Sequence, residues 1–532
     1  MRPILRPSTA ARALLPAAAA IALTTPLAGQ SLIDPVVGSG EVRVFGGGQY
    51  LGWSDRFGLD GDREPLGADL VRESGAELVP GVASLRTALE ALVGSSGPFR
   101  LGASQATVSQ TELRVPLSLD VGVIDRVTVG VTVPLVRTLM EADLRISADA
   151  DADLGINPAV AGAGSVPAFL ETLAMRALDA ATLSSELCGV DPLSDECTTA
   201  AALADELGTA EGLLADAYGA SGLFPAAGTT TGDALTAWVS TANTTLSDLG
   251  LDPLATGIPL AESPLDHTGF QALLTNGSGP FRSAPLAAYS SRWGLGDVEA
   301  RIAARLLDGA RVDSSGATTL AWSLAAVGTL RLPTGTQDSV DVYLDRGLDD
   351  GQMDLEGGAW FSLATRRLSV QARALYTLQQ PGEMLARIAP YGQVLATRGD
   401  RVLVERDPGD GISIEVEPAY RLAPAISIAA SWRMVSRGED LFTALTTPTA
   451  GDGPVRDQFH DDVSLLAEGT EYSLQELGGS ITYRSRGLPE TSGGGFETFL
   501  RVRKAIAGSG GRVPAGVRTE FGLRLVRRLW GG

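Results

Sequence analysis

From Leu113 to Val123 every second residue is apolar: Leu113, Val115, Leu117, Leu119, Val121 and Val123 alternate with Arg114, Pro116, Ser118, Asp120 and Gly122. After Ile124-Asp125 the alternation resumes, with Val127, Val129, Val131, Val133 and Leu135 against Thr128, Gly130, Thr132 and Pro134. A period of two belongs to the β-strand, whose side chains point to opposite faces in turn, so the pair is a hairpin with one apolar face. The pattern returns at Ile412, Ile414, Val416 and Tyr420 and, across a turn at 423–425, at Ile426, Ile428, Ala430, Trp432 and Met434. Further strands are predicted at 43–57, 298–307, 318–332, 355–365, 367–379, 471–485, 495–506 and 516–530, which makes twelve, within a range of ten to fourteen.

Strands of this length leave two architectures. A soluble sandwich uses strands of about five or six residues, whereas a barrel that crosses a bilayer uses about 9–11 tilted ones. Opposite the apolar face lie Arg114, Asp120, Glu299, Arg301, Arg305, Arg331, Arg373, Glu415, Glu417, Arg421, Arg433, Arg501, Arg503, Arg518, Glu520 and Arg524. Their density and mixed sign suit a wet lumen, and they are the candidate lumen-facing charges. The alternative is the solvated face of a secreted soluble sheet, because periodicity alone does not say which face meets lipid. Connections add a second signal: short turns at 124–126, 308–317, 366, 423–425 and 486–494 alternate with longer ones at 58–103, 141–290, 333–354, 380–411, 437–470 and 507–515. Outer-membrane barrels have this asymmetry, with short periplasmic turns and long extracellular loops. An even strand number puts both termini on the short-turn side, and ring closure leaves no strand edge unpaired in lipid. The expected fold class is an all-β transmembrane β-barrel of about 12 antiparallel strands with an inserted α-helical extracellular subdomain.

Composition narrows the functions. The chain has 532 residues, 44% hydrophobic and 20% charged, yet after residue 29 no stretch approaches the roughly 18 apolar residues of a membrane helix. A net charge of −21 removes the Lys/Arg face that nucleic acid needs. Two His and two Cys leave most metalloenzyme chemistry without ligands, and no cofactor is expected. Residues 1–29 have the order of a secretory signal peptide: Arg2, Arg6 and Arg12, an apolar run from Ala13 to Leu23, then small residues around Ala28. After cleavage the mature chain divides into first barrel strands at 30–140, an insertion at 141–285 and remaining strands at 286–532. The insertion is Ala/Leu-rich with helical Leu spacing, and between 141 and 290 twenty acids face only Arg145, Arg176 and Arg282. Most of the chain's negative charge therefore sits in a cap, and the barrel is close to balanced. Cys188 and Cys197 bracket a short loop that an oxidising compartment would close as a disulfide.

Motifs for chemistry are sparse. His267 and His460 fall in predicted long loops, and Ser464 near His460 does not make a catalytic arrangement, so no enzyme activity is expected. Asp149, Asp151 and Asp153 copy the start of a calcium loop, but Leu154 and Val160 stand where the turn glycine and closing acid belong. Asp338, Asp341, Asp345, Asp349, Asp350 and Asp354 crowd another long loop, where divalent cations would bridge acids to one another or to lipopolysaccharide phosphates. Gly94-Ser95-Ser96-Gly97-Pro98-Phe99-Arg100 is echoed by Gly277-Ser278-Gly279-Pro280-Phe281-Arg282, read as a recurring loop exit.

Three segments carry a family resemblance. The hairpin Leu117 to Pro134, with Gly122-Val123-Ile124-Asp125-Arg126 at its turn, resembles that of the MetA-pathway-of-phenol-degradation family of outer-membrane barrels. Gly294-Leu295-Gly296-Asp297-Val298 resembles that family's entry into a strand, and Leu332-Pro333-Thr334-Gly335 the end of the next. Under a third of the chain is covered, and the acidic insertion departs from the pattern. The resemblance implies a transporter of apolar compounds and supplies no catalytic residues. Two functions follow: a bacterial outer-membrane channel for passive passage of small, apolar solutes, or a non-transporting anchor that presents 141–285 as a surface module. Expected partners are outer-membrane lipid and lipopolysaccharide, a small-molecule solute and divalent cations at the acidic loops.

Overall fold

The computed structural model describes residues 34–530 apart from 95–96, 148–149, 163, 255–256, 315–317, 447–454, 457–458, 460–461 and 486–494. The signal-peptide segment, Asp149, His460 and the turn at 486–494 lie outside the described residues. Twelve long strands form one meander: β1 (Glu41–Trp53), β2 (Ala103–Ile124), β3 (Val127–Ser147), β4 (Val298–Val312), β5 (Thr318–Leu332), β6 (Asp354–Thr365), β7 (Leu368–Gln379), β8 (Gly411–Ala423), β9 (Ile426–Arg437), β10 (Tyr472–Arg484), β11 (Gly495–Ser509) and β12 (Val517–Arg528). Each pairs antiparallel with its neighbours in sequence, and β1 pairs with β12 from Glu41↔Arg528 to Gly52↔Val517, which closes the ring. Twelve strands, even-numbered closure and alternating short and long connections are as the sequence predicts.

The outer face is the apolar one. Val44, Leu119, Val131, Ile302, Trp322, Phe361, Ile428, Leu500 and Phe521 are exposed by 37–62%, while their strand neighbours on the other face are largely buried. Such a belt is stable only against lipid, since monomeric soluble proteins rarely expose contiguous apolar surface of this extent. Among the described residues no helix is long and apolar enough to cross a membrane; the strands do so.

β2 and β3 run 22 and 21 residues; β2 fills the span predicted between the connections at 58–103 and 124–126, and β3 overruns its predicted end at 140. Residues 141–147, read from the sequence as the start of the helical insertion, belong to β3, where Ala142, Leu144 and Ile146 are buried between exposed Glu141, Asp143 and Arg145. At about 3.4 Å per residue each strand reaches roughly 70 Å, well beyond a hydrocarbon core of about 30 Å. The excess stands clear of the membrane as a wall for the helices α1 (Val82–Val93), α2 (Ser165–Val190), α3 (Asp195–Ala220), α4 (Thr230–Asp248) and α5 (His267–Thr275). Leu203, Leu207, Ala210, Leu214 and Ala217 make one stripe along α3 at helical spacing, all buried in a core shared with Leu85, Phe169, Phe270 and the strand residues Val108, Met140 and Leu144. α2 and α3 form a hairpin whose tip carries the Cys188–Cys197 disulfide, with Cα atoms 4.9 Å apart. Ser194 caps α3 by accepting from the Cys197 N–H, and Asp195 and Glu196 follow in its first turn, where the helix dipole favours acids.

The repeated Gly-Pro-Phe-Arg phrase buries Phe99 and Phe281 completely in that core. Its backbone is not repeated: the left-handed residue is Phe99 in one copy and Arg282 in the other. Asp153 accepts from the Phe99 and Arg100 N–H groups and from the Thr231 hydroxyl, tying β2's entry loop to α4. His267 is the first residue of α5, behind its cap Asp266, rather than part of a loop. The weakest seam of the ring is β3–β4, where only six residue pairs from Glu299↔Thr132 to Ala304↔Val127 form the ladder. Above it, on the same edge, β3 pairs with Gly294–Leu295 and Ala288–Ser290.

Inside β12, Gly522 sits between two rings: a Cβ added there would lie 2.5 Å from both Phe45 and Phe499. Gly522→Val should therefore destabilise the refolded barrel by about 1–3 kcal/mol, as overpacking does, read from urea unfolding in phospholipid vesicles.

Candidate functional site

Because the ring is closed, the inward positions of its strands meet one another across the lumen. The candidate charges Arg114, Asp120, Glu299, Arg331, Glu415, Glu417, Arg433, Arg501, Arg503, Arg518, Glu520 and Arg524 are 0–8% exposed, and Arg301, Arg305 and Arg373 are half-buried. Arg421, near the 423–426 turn, is exposed. They are paired. Glu415 meets Arg373 at 3.1 Å, Arg503 at 2.5 Å and Arg501 at 3.6 Å, while Arg501 also contacts Glu417 and Glu520. Arg331 bridges Glu299 and Asp354, and Asp120 takes Arg43 at 2.9 Å and Arg301 at 2.8 Å. Glu476 joins Arg433 at 2.8 Å to Arg518 at 3.4 Å; Glu497 takes Arg484 and Arg524, whose guanidinium also lies against the Phe45 and Phe499 rings. Sequence reasoning missed Arg43, Glu356, Glu476 and Glu497, although each has the inward parity of its strand and could have been found by it.

Residues 34–37 pack into the short-turn end of the barrel. Asp34 pairs with Arg305 at 2.5 Å, Val36 packs on Ala303, Ala325 and Trp360, and the Val37 N–H donates to the Thr128 hydroxyl at 2.7 Å. Gly122 is required there, because a Cβ would come within 1.9 Å of the Gly38 carbonyl oxygen.

At the other end the long loops fold inward and enclose a cavity of about 240 Å³. Its apolar lining comes from Leu70, Val108, Val136, Met140, Leu344, Phe442 and Leu466, and its polar lining from Arg387 and from paired groups such as Arg56–Asp69 and Arg406–Asp440. Segment 338–349, part of the acidic loop noted in the sequence, lines much of it. Burial pushes the Asp69 carboxyl up, but the Arg56 hydrogen bond and charge outweigh it and hold the group below the usual carboxylate range.

That loop also brings Asp349 and Asp350 to Asp297, whose oxygens gather within 4.8 Å of one another. Burial, with repulsion from Asp349, pushes Asp297 up, and burial pushes Asp349 up in spite of Arg114. Asp297 stood in the Gly-x-Gly-Asp phrase but nothing in sequence linked it to a loop fifty residues on. Among the described residues the other acids of that loop are dispersed: Asp341 pairs with Arg387 and Asp354 with Arg331.

Two outcomes follow. Glu476→Ala, which removes the acid shared by buried Arg433 and Arg518, should cost about 3–5 kcal/mol in urea unfolding. For Asp69 the folded pKa is depressed, so its stabilisation is full above the unfolded value of about 3.9 and drains as pH falls through the folded value. Asp69→Asn should flatten that acid limb, measured by thermal unfolding between about pH 2 and 5.

No protein-family model matches the chain, and no curated protein matches it in sequence. Among solved structures it is similar to the COG4313 outer membrane channel from Pseudomonas putida F1 at 10% identity, covering 94% of this chain and 99% of that one, with a TM-score of 0.37. A Pseudomonas aeruginosa FadL homologue matches at 9% identity over 92% and 89% of the two chains with a TM-score of 0.23, and the Pseudomonas putida toluene transporter TodX at 9% over 92% and 89% with 0.26. The barrel assignment rests on the closed ladder and the apolar outer face of this chain itself. The protein is a twelve-stranded β-barrel of the bacterial outer membrane.

Proposed function

We propose that the barrel admits small apolar solutes through the outer membrane by way of the loop-enclosed cavity. The observation that carries this reading is the cavity's lining: a mostly apolar chamber sits at the external end of the lumen, and pockets that hold small molecules combine such walls with a few placed polar groups. Apolar solutes are the class for which a lipopolysaccharide leaflet needs a bypass, while the buried, paired charges below favour neither sugars nor salts. Solutes enter the chamber between the long loops and leave where the wall or the N-terminal plug yields.

A second reading has its own observation. The inward charges are almost fully buried and mutually paired, as in a barrel that serves only to anchor the α1–α5 module. Uptake separates the two. Cells carrying the protein in an intact lipopolysaccharide outer membrane should accumulate radiolabelled naphthalene faster than cells without it, and Leu344→Arg, which puts a charge into the chamber, should abolish the gain. Uptake equal to that of control cells would leave the anchor. Planar bilayers should show little ion conductance for either protein, and a wide, stable pore would overturn the ion-paired seal.

A further inference from the structure

We infer that Asp297, Asp349 and Asp350 form a calcium site between the start of β4 and the loop that lines the cavity. All three residues are more than nine-tenths buried, and each offers an oxygen within 4.8 Å of the others. Backbone donors hold the carboxylates in place. Asp297 Oδ1 accepts from the Thr334 and Gly335 N–H groups at 2.9 and 2.8 Å, Asp349 Oδ2 from the Asp297 N–H at 2.8 Å, and Asp350 Oδ1 from the Gln352 N–H at 3.1 Å.

Two further features point to a ligand. Asp297 is fully buried, yet among the described residues its Oδ2 has no hydrogen-bond partner, which is costly for a carboxylate unless a cation takes it. Two glycines also let the backbones close around the triad: a Cβ on Gly335 would lie 2.5 Å from Asp349 Cβ and 3.1 Å from Asp297 Oδ1, and one on Gly296 3.0 Å from Asp349 Oδ2. Arg114 stands 3.9 Å from Asp349 Oδ2, too far for a hydrogen bond. Three carboxylates share this buried space with the Arg114 guanidinium, and a divalent ion offsets their negative charge. An oxygen-only donor set without His or Cys selects a hard cation, and loop carboxylates supplemented by carbonyls and water suit the larger, more tolerant calcium shell over magnesium's rigid octahedron. At an external loop the expected affinity is that of extracellular modules, about 10⁻⁴–10⁻³ M. Bound calcium pins the cavity-lining loop to the barrel wall beside the short β3–β4 seam. The inference stands apart from the transport reading, since binding is measured without solute.

The test is calorimetric titration of CaCl2 into the full-length protein in lipid nanodiscs after chelator treatment. One calcium should bind, and Asp297→Asn and Asp350→Asn should each weaken it about tenfold or more, while Asp338→Asn, on the same loop outside the triad, leaves it unchanged. Heat-modifiable gel mobility identifies variants that fold, and Asp350→Asn carries the test if Asp297→Asn does not. No binding by the wild type up to about 10 mM calcium, or undiminished binding by the folded triad variants, would overturn the site.

Discussion

Lipid offers no hydrogen bonds, so every backbone N–H and C=O at the edge of a membrane-spanning sheet must find a partner within the chain. The β1–β12 ladder, twelve pairs from Glu41↔Arg528 to Gly52↔Val517, meets that demand by joining the two ends of the protein. Everything else depends on it. Closure at twelve strands encloses a lumen, and side chains that alternate with the lipid-facing row must fill it. The apolar row is claimed by lipid, so charges fill the interior, and they are tolerable only because acids and arginines from different strands meet, as Glu415 does with Arg373, Arg501 and Arg503.

The same constraint separates the two halves of the molecule. Within the membrane the interior is a network of charge pairs sealed below by residues 34–37. Above it β2 and β3 continue in the same register, but their inward row becomes apolar, with Val108, Met140 and Leu144 facing helices rather than arginines. The cavity lies where these regimes meet, which is why its lining mixes leucines with ion pairs. On the proposed transport reading, a solute meets the apolar chamber before the paired charges.

Much of the barrel was legible because alternation is local. Strand number, the side on which the termini lie and the inward parity of Arg433, Arg501 or Glu520 all follow from counting residues. Only the end of β3 differs, because its last residues pack on helices and Glu141-Ala142-Asp143 reads equally well as helix or strand when its partner is unseen. Arg43, Glu476 and Glu497 obey the parity rule and were within reach. Asp297 was not, because its meaning depends on Asp349, and no periodicity connects them.

The sequence by itself determined the ring: an apolar residue at every second position over twelve segments admits few folds other than a closed membrane sheet, since each strand's preference is written in its own residues. The tertiary structure alone decided what the ring contains. Which arginine answers which glutamate, that Asp34 meets Arg305, where the loops leave a chamber, and that Asp297 and Asp349 share one buried space are set by distances across the barrel. Residues brought together by closure leave no local mark in the chain.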